Sequence, residues 1–138
     1  MIKLIIGNKG SGKTKRLIDM VTAAADATKG TVACIEQGDT LTFSIPHKVR
    51  LVDSNAYGVS GYSEYFAFIS GICAGNHDIT DLFGDATLRI GGRDYTALAG
   101  FLDRVAVLSK ESNINFVFTV SCDESELPAK VFENAEKI

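Results

Sequence analysis

The sequence predicts an α/β fold, a three-layer α/β/α sandwich around a mainly parallel sheet. Short apolar runs typical of buried strands alternate along the chain with segments whose apolar residues recur every three or four positions, as in amphipathic helices. The first strand passes into the first helix through a glycine-rich turn. Because alternating strands and helices favour parallel crossover connections, we expect helices on both faces of the sheet.

The composition is typical of one globular domain, and we assign residues 1–138 to it. Apolar residues make up 46% of the chain and charged residues 22%, which allows a real core. A net charge of −3 offers no broad cationic surface, so we expect no general binding to nucleic acid or to membrane surfaces. No apolar run is long enough to span a bilayer, and the first residues do not resemble a secretion signal. Three widely spaced cysteines in apolar surroundings predict buried, reduced thiols and a cytoplasmic location.

The N-terminal part of the chain predicts two strands joined by a helix. Residues 2–6 are interpreted as a buried strand that stops at Gly7. Residues 14–30 have helical apolar spacing and end at a lysine and a glycine. Residues 31–35 are a second buried strand, and the alternating residues 41–53 are interpreted as strand and loop.

The C-terminal part continues the alternation of helices and strands. Its predicted elements are a helix capped by Ser63 and ending near 75–76, a strand over 79–84, a loop over 90–94, a helix with apolar positions over 98–108, a strand over 115–121, and a helix over about 126–136 with Pro128 in its first turn. We find no repeat and no linker.

The turn after the first strand has the sequence Gly7-Asn8-Lys9-Gly10-Ser11-Gly12-Lys13-Thr14. It matches the pattern G-x-x-x-x-G-K-[ST], and it lies between a predicted strand and a predicted helix, as phosphate binding by this loop requires. Its glycines allow backbone N–H groups to converge on phosphate oxygens at the start of a helix. Lys13 would reach the β- and γ-phosphates, and the Thr14 hydroxyl would be a ligand of Mg²⁺. The motif therefore predicts a P-loop NTPase fold that binds a nucleoside triphosphate with Mg²⁺.

A P-loop enzyme also needs a carboxylate at the end of a neighbouring strand to hold the metal. Asp85 follows the apolar residues of the strand at 79–84, whereas Asp81 lies within that strand, so we favour Asp85 and keep Asp81 as the alternative. Glu36 closes the second strand at the same edge of the sheet and is a candidate for orienting an attacking water. For both acids, a solvated strand end is the simpler interpretation.

Three more residues are weaker candidates for contact with phosphate. Ser121 and Asp123 come just after the strand at 115–121, where they would sense the γ-phosphate or simply form a polar strand end. Arg93 follows two glycines, which is typical of a flexible loop that presents an arginine either to solvent or to the phosphate of a neighbouring molecule.

The first twenty residues carry a resemblance to a known family. Residues 6–20, with the sequence Ile-Gly-Asn-Lys-Gly-Ser-Gly-Lys-Thr-Lys-Arg-Leu-Ile-Asp-Met, resemble small, poorly characterised P-loop ATP-binding proteins that are sometimes labelled twitching-motility-type ATPases. Residues 48–58, 79–85 and 115–128 are similar to later segments of that family. The resemblance implies that the nucleotide is ATP. In the family pattern the third strand ends in an apolar residue, Asp and Gly, whereas this chain has Gly84, Asp85 and Ala86 there, which leaves hydrolysis open.

Two main functions remain open from the sequence. The first is an ATP-binding protein with slow Mg²⁺-dependent hydrolysis, and the alternative is a nucleotide-gated binding module with negligible hydrolysis. A GTPase fits less well, because residues 81–84 match D-x-x-G but the N-K-x-D pattern that reads guanine is not present. A small-molecule kinase also fits less well, because this sequence shows no arginine-rich lid segment. The predicted strands, helices and phosphate loop use nearly all of the residues, which leaves little for a lid or an effector domain. We therefore expect a protein partner or a second copy of the chain to respond to the bound nucleotide.

Overall fold

A computed structural model describes all residues 1–138, and its centre is a six-stranded sheet in which every pair of neighbouring strands is parallel. The strands are β1 (Ile2–Ile6), β2 (Thr31–Glu36), β3 (Arg50–Asp53), β4 (Ile79–Gly84), β5 (Asn115–Val120) and β6 (Glu136–Lys137). Their order across the sheet is β3-β2-β4-β5-β1-β6, so β5 separates β1 from β4. Because the strands are parallel, their C-terminal ends meet at one edge, called the carboxyl edge below, where ligands of such sheets bind.

Four α-helices connect the strands. They are α1 (Lys13–Ala27), α2 (Tyr62–Gly75), α3 (Thr87–Gly91) and α4 (Tyr95–Ser112), with three short 3₁₀ helices at Ser54–Tyr57, Glu124–Glu126 and Ala129–Phe132. None of them has the length and apolar character that crossing a bilayer requires. The α/β class and the parallel sheet predicted from the sequence are confirmed.

Two hydrophobic cores lie on opposite faces of the sheet. Side chains of β2 show the division, because Val32 and Cys34 pack with α1 and residues 41–49, whereas Ala33 and Ile35 pack with α2 and α4. This alternation follows from the two-residue period of a strand. Both faces are therefore covered, which explains why the strands consist of nearly continuous apolar runs.

The two longest helices begin in different ways. Asp94 caps α4, since its Oδ1 accepts hydrogen bonds from the N–H groups of Thr96 and Ala97 at 3.0 and 3.1 Å. Gly12 precedes α1 with a φ of 87° and supplies no side-chain cap. The first N–H groups of α1 consequently have neither an intrahelical partner nor a capping side chain.

The strand predicted within 41–53 is only partly correct. Residues 50–53 form β3, but residues 41–45 form turns in which the Ile45 N–H donates to the Leu41 carbonyl at 3.1 Å. Leu41 and Ile45 are both buried in the core beside α1, while Phe43 between them is fully exposed. The alternation of Leu41, Phe43 and Ile45 therefore did not indicate a strand, and Phe43 is not part of the core.

The closing helix predicted over 126–136 is wrong. Two 3₁₀ helices and the short strand β6 replace it. Proline disfavours the α conformation in the residue before it, and Leu127 before Pro128 is extended, with φ −86° and ψ 130°. Leu127, Val131 and Ala135 are buried as a helical spacing predicts, although no α-helix carries them.

Two smaller boundaries also differ from the prediction. The loop expected over 90–94 begins later, because α3 extends to Gly91. Ser63 does not cap α2, which begins one residue earlier, after Gly61. The strands at 79–84 and 115–120 and the helix over 98–108 are confirmed.

Gly84 at the end of β4 makes room for an aromatic cluster. A Cβ at this position would overlap the Tyr65 hydroxyl and the ring of Phe118. Tyr65 is fully buried, and its ring stacks on Phe101 with the centroids 5.1 Å apart. The aromatic residues of α2 therefore belong to the core, as their helical spacing predicts.

Candidate functional site

The loop over Gly7–Thr14 leaves the carboxyl end of β1 and turns directly into α1. It is called the P-loop below after the sequence pattern that it matches. Gly10 and Gly12 have φ values of 85° and 87°, a region that residues with a Cβ adopt only with strain. The Ser11 N–H donates to the Asn8 carbonyl at 3.1 Å, which closes the turn. The second glycine of the motif, Gly12, thus meets a real backbone requirement, and so does Gly10, which the motif leaves free.

The start of α1 offers donors to an anion. Lys13 is buried against the loop, and its Nζ donates to the Asn8 carbonyl at 2.9 Å and to Ser11 Oγ at 3.4 Å. The uncapped N–H groups of Lys13 and Thr14 lie at the positive end of the helix dipole. A cationic side chain and free amide donors at one helix start fit a phosphate group.

Asp85 lies against the P-loop at the carboxyl edge. Its Oδ2 accepts a hydrogen bond from Thr14 Oγ1 at 3.3 Å, and its Oδ1 accepts one from Thr119 Oγ1 at 2.6 Å. Thr119 in turn accepts a hydrogen bond from the Ala86 N–H at 3.2 Å. Thr119, near the end of β5, therefore orients the Asp85 carboxylate towards Thr14. Thr14 and Asp85 are the two residues for which the sequence predicts metal binding.

Asp81, the alternative carboxylate, lies elsewhere. It is in register with Asn115, the first residue of β5, and it accepts hydrogen bonds from Thr80 Oγ1 at 2.8 Å and Asn115 Nδ2 at 3.4 Å. Asp81 is four positions before Asp85, which is about 13 Å along an extended strand. The structure therefore brings Asp85 to the P-loop and does not bring Asp81 there.

A cavity of about 930 Å³, called the P-loop cavity below, lies between the P-loop, residues 85–89, Arg93 and residues 121–126. Its cationic lining residues are Lys9, Lys13, Lys15, Arg89 and Arg93, and its carboxylates are Asp85 and Glu126. The cavity is thus strongly cationic although the whole chain carries a net charge of −3. Such a concentration of one charge in a concave site favours a polyanionic ligand.

Glu36 is not among the residues that line the P-loop cavity. Its carboxylate accepts hydrogen bonds from Thr40 Oγ1 at 3.1 Å and from the Leu41 N–H at 3.2 Å, within the turn that follows β2. It lines a separate cavity of about 310 Å³ together with Asp39 and Asp53. Burial raises the pKa of Glu36, although the hydrogen bonds from Leu41 and Thr40 oppose this rise. The structure does not place this carboxylate where it would orient a water at the P-loop.

The two residues predicted after β5 have different positions. Ser121 lines the P-loop cavity. Asp123 caps the 3₁₀ helix Glu124–Glu126, and hydrogen bonds from the backbone and the hydroxyl of Ser125 hold the pKa of Asp123 below its usual value. Asp123 lines a neighbouring cavity of about 710 Å³, so its main contacts are those of a helix cap.

Arg93, for which the sequence left contact with solvent or with a neighbouring molecule open, is exposed and also lines the P-loop cavity. Its Nη2 donates to the Ser121 carbonyl at 3.3 Å. This is the one side-chain hydrogen bond that Arg93 makes. The Arg93 side chain therefore lies at the wall of its own chain's cavity, with its other N–H donors exposed to solvent.

The three cysteines form no disulfide. Cys34 and Cys122 are buried and Cys73 is half-buried, in agreement with the sequence prediction. Burial, and then the charges of Asp85 and Glu36, raises the pKa of Cys34 to about 12. The thiolate is the nucleophilic form of cysteine, so Cys34 is a core residue and not a reactive group.

Sequence reasoning missed three charged residues of the P-loop cavity, Lys15, Arg89 and Glu126. Lys15 directly follows the motif, in the first turn of α1. Arg89 reaches the cavity because Ala86 adopts a φ of 57° and turns the chain directly from β4 into α3. Alanine gives no signal for that conformation, which is typical of glycine or asparagine. Glu126 is there because it completes a capping box with Asp123, a pattern that Asp-x-x-Glu at 123–126 does indicate.

The protein was also compared with known families. No protein-family model matches the chain, and no significant similarity to a curated protein was found.

Proposed function

We propose that the chain is an ATP-binding P-loop protein that binds Mg²⁺ with the nucleotide and hydrolyses it slowly. The observation that carries this proposal is the convergence of Lys13, Thr14 and Asp85 on one cationic cavity at the start of α1. The choice of ATP rests on the family resemblance of the first twenty residues, since no residue of the cavity specifies the base.

The residues of the P-loop have distinct roles in this proposal. The backbone N–H groups of Gly10 and of residues 12–14 donate to phosphate oxygens at the start of α1, while the Ser11 N–H keeps its bond to the Asn8 carbonyl. Lys13 exchanges its contact with the Asn8 carbonyl for one with the β- and γ-phosphates, where its charge offsets theirs. These contacts need only local movement, because Gly10 and residues 12–14 already line the cavity.

Thr14 and Asp85 fit a magnesium site that is completed by phosphate and water. Mg²⁺ prefers oxygen ligands and is usually held by one or two protein groups beside substrate phosphates. Thr14 Oγ1 and Asp85 Oδ2 are 3.3 Å apart, and neither this site nor any other in the structure has three or more His, Cys, Asp or Glu side chains grouped to hold a metal. When bound, Mg²⁺ supplies positive charge that offsets the charge of the phosphate oxygens.

A nucleotide-gated binding module with negligible hydrolysis is the second candidate. The position of Glu36 favours it, because its carboxylate is hydrogen-bonded to its own turn and does not line the P-loop cavity. Without a positioned carboxylate to orient a water, phosphate binding remains but hydrolysis loses a general base. Phosphate release with and without Mg²⁺ decides between the two candidates.

The experiment that tests the proposal is ATP binding to a Lys13→Ala variant, measured by calorimetry. Charge-assisted hydrogen bonds contribute about 1.5–3 kcal/mol, so we expect affinity to fall roughly 10- to 100-fold. Lys9→Ala is the matched control, since it removes a lysine of the same loop that is exposed to solvent, and we expect a fall of about 3-fold or less. Unchanged ATP affinity in a folded Lys13→Ala variant would refute the proposal, and competition with GTP reports base preference.

A further inference from the structure

The segment that carries Arg93 is held firmly in place. Tyr62 Oη of α2 donates to the Gly92 carbonyl at 2.7 Å. The Tyr62 ring lies so close to Gly91 that a Cβ there would overlap it. Gly92 has a φ of 104°, a conformation that a side chain would strain. Two glycines that suggested a flexible loop therefore serve close packing and a sharp turn.

This anchoring directs Arg93 towards the P-loop. Gly92 ends α3, and Arg93 reaches the carboxyl edge, where it contacts the Ser121 carbonyl just after β5. β5 lies between β1 and β4, so the end of β5 lies between the strand that leads into the P-loop and the strand that Asp85 follows. Arg93 thus lines the same cavity as Lys13 and Asp85, and its one side-chain hydrogen bond, to the Ser121 carbonyl, leaves its other donors unpaired.

We infer that Arg93 is the residue of this chain that recognises the terminal phosphate of a bound nucleoside triphosphate, and that Tyr62 positions it. The inference rests on the proposed function. A guanidinium presents planar donors that match phosphate oxygens, and its contact with the Ser121 carbonyl leaves further N–H donors free for them. The site then distinguishes triphosphate from diphosphate without an arginine from a second molecule.

Arg93 is a better candidate than Arg89, the other arginine of the cavity. Arg89 lies within α3, and the contact recorded for it uses its backbone carbonyl, which accepts a hydrogen bond from Gln37 Nε2 at 3.4 Å. No side-chain hydrogen bond orients its guanidinium. Arg89 consequently adds to the positive potential of the cavity, which attracts ATP and ADP alike.

The test compares the affinities of ATP and ADP, with Mg²⁺, in three single variants. In Arg93→Ala we expect ATP affinity to fall about 10-fold or more and ADP affinity to change less than about 3-fold. In the matched control Arg89→Ala we expect both affinities to fall by a similar factor. In Tyr62→Phe, which keeps the ring but removes the hydroxyl bonded to Gly92, we expect a partial loss of the preference for ATP.

Each result has a distinct meaning. Equal losses for ATP and ADP in Arg93→Ala, or a selective loss in Arg89→Ala instead, would overturn the assignment of Arg93. If Lys13→Ala abolishes binding while Arg93→Ala keeps the full preference for ATP, the inference fails and the proposed function stands. No binding of either nucleotide to the unaltered chain would overturn both. A thermal melt of the Tyr62→Phe variant shows whether a change in its preference for ATP over ADP comes with a loss of folded protein.

Discussion

Two carboxylates, Glu36 and Asp85, follow neighbouring strands at the carboxyl edge, and they lie side by side because Ile35 of β2 pairs with Gly84 of β4. Glu36 accepts hydrogen bonds from its own turn and lines a small cavity with two other acids. Asp85 accepts hydrogen bonds from Thr14 and Thr119 and lines a large cationic cavity. Equivalent positions in a sheet therefore do not give equivalent chemistry.

The difference arises from the chain that follows each strand. After β2, the turn folds back so that the Leu41 N–H meets the Glu36 carboxylate. After β4, Ala86 turns the chain away into α3, and Asp85 remains open to the P-loop. A strand end thus supplies the position of a carboxylate, and the next few residues decide whether it faces its own turn or the P-loop.

The largest effect is expected from Asp85→Asn, which removes the charge from the open carboxylate. Loss of a residue that holds or orients a metal typically weakens metal binding 10- to 100-fold, so we expect the Mg²⁺ dependence of ATP binding to weaken by up to roughly 100-fold. The measurement is ATP affinity over a series of Mg²⁺ concentrations.

Asp81→Asn is the matched control for that experiment. It changes an aspartate of the same strand that is hydrogen-bonded to Thr80 and Asn115, away from the P-loop. We expect its Mg²⁺ dependence to equal that of the unaltered chain. An equal effect of the two substitutions would contradict the assignment of the metal to Asp85.

A smaller effect, on stability and not on binding, is expected from Glu36→Ala. The substitution leaves the buried Leu41 N–H without its acceptor, which costs about 1 to 2 kcal/mol of the free energy of unfolding. Urea denaturation measures this loss. Glu36→Gln keeps an acceptor oxygen and should lose less. A large drop in ATP affinity in either variant would show that Glu36 belongs to the P-loop site after all.

The smallest effect is a pH dependence that the same residue introduces. Burial raises the folded-state pKa of Glu36 above 4.5, its ordinary value. The folded state then holds this proton more tightly than the unfolded state, so the contribution to stability is complete below pH 4.5 and is lost as pH rises through the folded pKa. As pH rises through the folded-state pKa of Glu36, the free energy of unfolding of the unaltered chain should therefore fall relative to that of Glu36→Gln. Urea denaturation of both proteins at each pH measures this difference. A constant difference would contradict the raised pKa.

The parts of the site that follow from local sequence could be predicted. The P-loop is a continuous motif between a strand and a helix, and Asp85 was placed by the end of an apolar run, so the meeting of Lys13, Thr14 and Asp85 required only a parallel sheet. The orientation of Glu36 depends on how the turn after β2 brings the Leu41 N–H to its carboxylate. The position of Arg89 in the P-loop cavity depends on the positive φ of Ala86, which an alanine in the sequence does not indicate. The helix expected over 126–136 failed for a related reason, since the spacing of buried residues was correct and the backbone that carries them was not.

Two aromatic neighbours constrain the evolution of position 84. Any larger residue there would overlap both the Tyr65 hydroxyl and the Phe118 ring, so a lineage that replaced Gly84 would have to move or shrink both side chains and lose part of the aromatic cluster. The glycine before Asp85 is therefore a consequence of core packing, and the Asp85 carboxylate beside it keeps its contacts with Thr14 and Thr119.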